Sequence, residues 1–364
     1  MPRNNGTRTV AKESSARGHR SRTTIADVAR RAGVSIATVS LVLNGRSREM
    51  RISPKAEERV LEACRELGYR PNIHARRLVR LRSDTLAFLI GGTGEGRVFH
   101  LFGAMLSGVL QAASEHDLRV YLSEWNGSVA SEEQYLRWLE EGSVDRLLVY
   151  AIAAENLNIE ALRAHEVPII FLDRIEPEWS FITSDHANGS ELAVRHLIEL
   201  GHRHIAFVSG PSGSSPSRER LRGFKAAVCQ QLPDEPLRVI PGGFTEQAGY
   251  RAGDELLQRY PEVTAVVCAH DYAAYGLIGR LQEEGVNVPE AMSVVGANDT
   301  ELARLMRPGL TTVRVPMREM AVAAVEALAA LPPDGSPAWV QKSLPVELVV
   351  RGSTAPPRSS ALRR

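Results

Sequence analysis

Several things are scarce in this chain, and each scarcity removes a class of function. There are only 3 cysteines, Cys64, Cys229 and Cys268. They lie far apart without metal-ligand spacing, which argues against a disulfide framework and suits a reducing cytoplasm. No apolar run approaches the length of a membrane span, and the N-terminus lacks the apolar core of a signal peptide. The expectation is a cytoplasmic protein with no membrane partner. Catalytic signatures are missing as well: no P-loop, no Gly-x-Ser-x-Gly elbow and no His-Glu-x-x-His. The GGTGEG stretch after TLAFLI suggests a phosphate cradle, but Arg97 stands where the third glycine belongs. His202-Arg-His204 has no evident carboxylate or thiol to complete a metal site. Neither catalysis, nor a metal, nor a cofactor is expected; the competing reading is a nucleotide- or sugar-binding enzyme of doubly wound fold.

What is present is a long chain with an uneven charge. Its 364 residues, 43% hydrophobic and 24% charged, suffice for a large core and two or three domains. The formal net charge of +1 hides an asymmetry: residues 1–83 hold 19 basic against 7 acidic side chains, and the remainder 25 against 36. A basic head on an acidic body points to nucleic-acid contact confined to the head.

Residues 1–22 are polar and basic and read as a disordered arm. TTIADVARRAGVSIATVSLVLN, Thr23 to Asn44, reads as two short helices around a tight turn. Thr24 and Asp27 can form a capping box. Ile25, Val28, Ala29 and Ala32 share a face. Gly33 supplies the turn, and Ser35 caps a second helix, Ile36 to Leu43. This is a helix-turn-helix, whose second helix enters the major groove of DNA. Ser53-Pro54 opens a third helix with an apolar stripe of Val60, Leu61, Cys64 and Leu67. Thr24, Ser35, Thr38, Ser40 and Asn44 are suited to phosphate contacts, which position a head without reading sequence. After Pro71, Asn72 can cap a helix too short to be stable alone in water. A DNA-binding domain over 23–70 follows from this pattern, with a marginal helical segment behind it.

From Thr85 the period changes. Strands are expected at Thr85–Ile90, Arg119–Ser123, Arg146–Tyr150, Pro168–Leu172, His204–Val208, Leu237–Ile240, Ala265–Ala269 and Ser293–Gly296. Helices are expected at Phe99–His116, Ser131–Glu141 (with a Ser131/Gln134 capping box), Gly189–Leu200, Arg218–Leu232, Thr245–Tyr260 and Tyr272–Glu284. Such alternation builds parallel sheets with helices on both faces. So many units call for two lobes, with a ligand crevice at the carboxyl ends of their strands. The Pro-, Ser- and Arg-rich 353–364 reads as a disordered tail.

The head TTIADVARRAGVSIATVSLVLNG, with ERVLEACRELGYRPNIHARRL behind it, resembles the lactose-repressor (LacI/GalR) family of bacterial transcription regulators. VPIIFLDR, LIELGHRHIAFVSGP, SRERLRGFKAA, GGFTEQAGYRAGDELL, VPEAMSVVGANDTE and LTTVRVP extend the resemblance from Thr23 to about Arg351. It implies a homodimer on a palindromic operator, most often a repressor, switched by a small effector, by default a sugar. The implied core is α/β and periplasmic-binding-protein-like over 84–352. Lobe 1 takes about 84–184 and 316–342, and lobe 2 about 185–315 and 343–352.

The family pattern places Ile36, Ala37 and Leu41 at base edges. All three are apolar and unable to make bidentate bonds to guanine or adenine, so readout leans on thymine methyls and DNA shape. It makes 71–83 a hinge helix and places Leu78 as a wedge in the minor groove, beside Ala75, Arg76 and Arg77. The pocket residues it implies are Asp173, Arg220, Phe244, His270 and Asn298, with Phe99 and His100 at the mouth. His270 and Asn298 depart from the family's usual asparagine and acidic residue. A sugar-binding protein of the transport type would need a signal peptide and no basic head.

Overall fold

The computed structural model describes residues 23–43, 45–69, 83–91, 99–125, 128–151, 158–165, 167–331 and 339–358. The expected arm 1–22, Asn44, residues 71–82 of the hinge with Ala75, Arg76, Arg77 and Leu78, and residues 359–364 lie outside them. The chain divides after Leu81 into an N-terminal unit and a larger one.

The N-terminal unit contains α1 (Ile25–Ala32), α2 (Ile36–Leu43) and α3 (Pro54–Glu66). The capping box forms: the Asp27 amide donates to Thr24 Oγ1 at 3.4 Å, and the Thr24 amide donates to Asp27 Oδ2 at 2.9 Å. Gly33 sits at φ 63°, in the left-handed region where a side chain would be strained. Ser53 caps α3, with Pro54 in its first turn. The core of this unit is Val28, Ala29, Ala32, Val39, Val42, Val60 and Ala63. Leu61, expected in the stripe, is exposed, and Ala63 takes its place, since positions three and four apart share a helical face.

The larger unit holds two six-stranded sheets. The first consists of β1 (Thr85–Gly91), β2 (Arg119–Trp125), β3 (Arg146–Ala151), β4 (Ile169–Leu172), β5 (Ser180–Ser184) and β11 (Gln341–Leu344). Its order is β11-β5-β4-β3-β1-β2 and every pairing is parallel. The second consists of β6 (Ile205–Val208), β7 (Arg238–Ile240), β8 (Ala265–Cys268), β9 (Ser293–Ala297), β10 (Thr311–Arg314) and β12 (Glu347–Val349), in the order β12-β10-β9-β8-β6-β7. There β12 runs antiparallel to β10. All of β1 is buried, as a parallel strand covered on both faces must be.

Helices α4 (Phe99–Glu115), α5 (Val129–Glu140), α6 (Ile159–Arg163) and α12 (Met317–Ala330) accompany the first sheet. Helices α7 (His186–Glu199), α8 (Ser215–Gln231), α9 (Glu246–Arg259), α10 (Asp271–Glu283) and α11 (Glu301–Leu305) accompany the second. Each sheet has one apolar layer on either face. Met105, Val109 and Ala112 of α4 meet Met320, Ala321 and Ala324 of α12 in one of them. Gly108 permits that approach: a Cβ there would lie 2.5 Å from the Arg318 carbonyl. Among the described residues no helix is long and apolar enough to cross a membrane.

Three expectations need correction. Helix α5 starts at Val129, ahead of the expected Ser131/Gln134 capping box, and the Ser128 carbonyl accepts the Glu132 amide. The last passage between lobes falls at Pro345–Val346, between β11 and β12, later than the expected 342/343. The tail is also ordered at its start. Ser353 is fully buried; its hydroxyl donates to the Val294 carbonyl at 2.6 Å and accepts the Thr311 amide at 2.8 Å. A polar composition reads as solvated, but these hydroxyls complete the backbone bonding of β9 and β10.

Candidate functional site

On α2, Val39 and Val42 face the core. Ile36 and Ala37 are exposed, Leu41 half-buried, and one helical face therefore presents apolar side chains outward. Ile36 is 51% exposed, far more than an aliphatic residue retains in a finished core. Two of the polar candidates are engaged as caps. The Thr24 hydroxyl donates to Asp27 Oδ2 at 2.7 Å, and Ser35 Oγ accepts the Thr38 amide at 3.1 Å while sharing a 2.9 Å bond with the Thr38 hydroxyl. Ser40 is half-buried. Beyond the helix, Arg48 and Arg51 are exposed.

The second constellation lies between the lobes, at the carboxyl ends of their strands. From lobe 1 comes Asp173, directly after β4, with φ 53°. Its Oδ1 accepts from His186 Nε2 at 2.7 Å and from the Thr183 hydroxyl at 3.3 Å. His186 is the first residue of α7, so this bond spans the lobes. A second bond across them runs from the Ile175 amide to Ser215 Oγ at 3.0 Å.

From lobe 2 comes Arg220, buried on the second turn of α8. It donates to the Ala269 carbonyl at 3.1 Å and to Asn298 Oδ1 at 2.8 Å. Gly223, almost one turn later, lets α8 lie against α7; a Cβ there would meet the Ala187 carbonyl oxygen at 2.0 Å. Asn298 follows β9 at φ 105°, a conformation costly for a residue with a side chain. His270 is the N-cap of α10, its Nδ1 accepting the Tyr272 amide at 3.1 Å. The Phe244 ring is half-buried 5.4 Å from the His270 ring.

Electrostatics order this cluster. Burial alone would raise the Asp173 carboxyl, but His186, Arg220 and Thr183 outweigh it and hold it below the usual carboxylate range. Burial holds His186 below the usual imidazole value despite Asp173, and Arg220 adds to that. The consistent state is an ionised Asp173 accepting from a neutral His186, with Arg220 as counter-charge. Burial also lowers the Arg220 guanidinium, with Asp173 the main opposing influence. Tyr150, buried at the end of β3, is raised by burial and by Asp173. Asp271, wholly buried, is pushed up to about 7 by desolvation. Its oxygens accept the Thr312 hydroxyl at 2.5 Å and the Thr300 amide at 2.7 Å, a bracing role inside lobe 2.

The structure thus brings together Asp173, Arg220, Phe244, His270 and Asn298. Phe99 and His100 lie on the first turn of α4, and their side chains are outside the described residues. His186 and Tyr150 belong to the same cluster and escaped the sequence reading. The SDHANG turn, a strand end meeting a helix start, was the available signal for His186. His202 and His204 serve lobe 2 internally: His202 bonds Thr264, Ser293 and the Ala355 carbonyl, and His204 bonds Glu235. Among the described residues no His, Cys, Asp and Glu group is arranged to hold a metal.

A helix-turn-helix head and a two-lobed α/β core with a charged cleft between its lobes define a DNA-binding regulator that responds to a small ligand. The chain belongs to the lacI family of bacterial regulatory proteins. That family's model matches residues 24–72, and the periplasmic binding protein-like domain matches residues 194–354. The regulator GalR of Salmonella typhimurium is 34% identical over 85% of this chain and 89% of its own length. Catabolite control protein A of Priestia megaterium is 31% identical over 84% of this chain and 91% of its own. Among solved structures, the lac repressor dimer bound to operator and the anti-inducer ONPF superposes with a TM-score of 0.75. It has 29% identity, covering 92% of this chain and 99% of that one. The CelR–cellobiose complex superposes with a TM-score of 0.69 and 30% identity, covering 91% of this chain and all of that one.

Proposed function

We propose that this chain represses transcription as a homodimer on a palindromic operator, in the cytoplasm, and that a sugar bound between its lobes changes its affinity for DNA. The observation carrying this reading is the convergence of Asp173 from lobe 1 with Arg220, Asn298 and His270 from lobe 2. A ligand gripped by both lobes alters their mutual position, and a ligand with different affinities for two arrangements shifts their populations. The relatives support it: one neighbour holds cellobiose, and another is a dimer on its operator.

In this reading Ile36, Ala37 and Leu41 meet base edges. Thr24, Ser35, Thr38, Ser40 and Asn44 meet phosphates. Residues 71–83, with Ala75, Arg76, Arg77 and the Leu78 wedge, form a hinge that relays the lobes' position. Phe244, Phe99 and His100 complete the effector pocket. Selecting operators from random DNA with the full chain tests it. The expected product is a two-fold symmetric site with half-sites one helical turn apart or a multiple of it, bound with a steep salt dependence. Enrichment of asymmetric or sequence-random DNA would refute it.

A further inference from the structure

Where the chain passes from residues 71–83 into the core, a single carboxylate grips three consecutive backbone amides. Asp145, directly before β3, accepts the Ser83 amide at 3.0 Å and the Asp84 amide at 2.9 Å on Oδ2, and the Thr85 amide at 3.2 Å on Oδ1. Converging N–H groups make an anion site, and an ionised acceptor makes their bonds strong. The Thr85 hydroxyl donates to the Ser83 carbonyl at 3.0 Å, and Arg119 donates to the same oxygen. Asp84 stands at φ 47°, in the left-handed region, so Asp145 holds a turn ahead of β1. The ladder of β1 with β3 begins only at Leu86. The carboxylate, more than the sheet, sets the backbone of Ser83 and Asp84.

This anchor is tied to a distant element. Arg146, buried beside Asp145, donates to Asp145 Oδ1 at 2.7 Å and through Nε to the Leu328 carbonyl at 3.0 Å. Leu328 lies in the last turn of α12, where carbonyls lack helical partners and favour a cation. The other end of α12 follows the passage between lobes at Val315–Pro316. Its first turn is fastened to that passage: the Met317 amide donates to the Val315 carbonyl at 2.8 Å, and the Met320 amide to the Pro316 carbonyl at 2.9 Å. The 14 residues of α12 bridge about 20 Å, and Met320, Ala321 and Ala324 pack them against α4. A shift of the lobes at Pro316 is thereby delivered, through Leu328, Arg146 and Asp145, to the backbone of Ser83.

We infer, on the regulator reading above, that Asp145 and Arg146 are positioning residues of the switch. Asp145 fixes the direction in which the chain enters the core from 71–83, and Arg146 couples that direction to the lobes. Binding couplings are reciprocal, so operator DNA can serve as the probe in place of an effector. Hydrogen exchange of the full chain, with and without the operator selected from random DNA, is followed at Ser83–Thr85 and on the first turn of α12. In the wild-type chain the operator should change exchange at both places. Arg146→Met leaves Asp145 its amide donors; the change at Ser83–Thr85 should persist, and the change on α12 should shrink at least about fivefold. Arg146→Lys keeps the charge beside Asp145 without the guanidinium fork. It should lose about half of the α12 change, and it keeps the test open if the first variant fails to fold. A merely structural arginine would speed exchange around Leu328 with and without DNA alike. An operator-induced change on α12 that survives intact in the folded variants therefore overturns the inference. So does an operator effect at Ser83–Thr85 that never reaches α12 in the wild-type chain. An operator that binds yet changes exchange at neither place contradicts the regulator reading itself, and the relay with it.

Discussion

The outward face of α2 and the floor of the interlobe cleft are built from opposite materials. The helix presents Ile36, Ala37 and Leu41, apolar groups with no hydrogen bond to give a base. The cleft buries an arginine, an aspartate and two histidines, each held by hydrogen bonds. Polar recognition inside the cleft is preorganised, because its donors and acceptors are fixed before any ligand arrives. Recognition by the head is loosely specified, and its polar side chains are largely used in building the head itself. In the proposed reading the head depends on dimer geometry and DNA shape, whereas the cleft discriminates by itself.

The contrast can be broken most forcefully at Arg220. Arg220→Met leaves Asp173 buried without its counter-charge, and should cost the core about 3–5 kcal/mol in chemical denaturation. Any variant that folds should lose its effector response. The head is vulnerable in a different way, since its seven core residues are all valine or alanine. Val39→Ala should lose about 2 kcal/mol from so small a core. Operator binding should weaken while the melting of the larger unit stays put, as read by calorimetry of the full chain. Leu41→Arg would sharpen the comparison by giving α2 a polar reader. It should create a preference for guanine at one position per half-site, worth about 1–3 kcal/mol, in competitive binding to operator variants.

The smallest expected effect is on pH. Burial holds His186, His196 and His202 below the usual imidazole value. Below about 6.5 the unfolded chain takes up protons that the folded chain refuses, so stability falls as pH drops from about 7 to about 5. Asp271, raised to about 7, opposes this, because the folded chain keeps a proton there that the unfolded chain releases. The expected outcome is a melting temperature that declines on acidification, followed by thermal denaturation at about pH 7 and about pH 5. Replacing His202 by Gln should lessen that decline.

Much of this is legible in the sequence. The capping box, the Gly33 turn and the 3.6-residue apolar period specify the head, because they act over neighbouring residues. The central strands are legible as continuous apolar runs, and both observed faces are buried. Strands β5, β10, β11 and β12 are not, because they are short and β11 carries largely polar, solvent-facing residues. His186 and Tyr150 join the cleft only through folding, from a helix start in one lobe and a strand end in the other. The engagement of Arg220 by Asn298 spans 78 residues of sequence, and no local pattern encodes it. Ser353 shows the same limit, since its partners lie on β9 and β10.

The central claim is that occupancy of the cleft sets the affinity of the head for DNA. Operator titrations of the full chain, with and without a saturating neutral sugar, test it directly when run beside Asp173→Asn. The account predicts that the sugar shifts the wild-type dissociation constant by about 5–150-fold, and that the variant responds at most weakly at the same sugar concentration. A sugar that demonstrably fills the cleft yet leaves the operator affinity of the wild-type chain unchanged would contradict it.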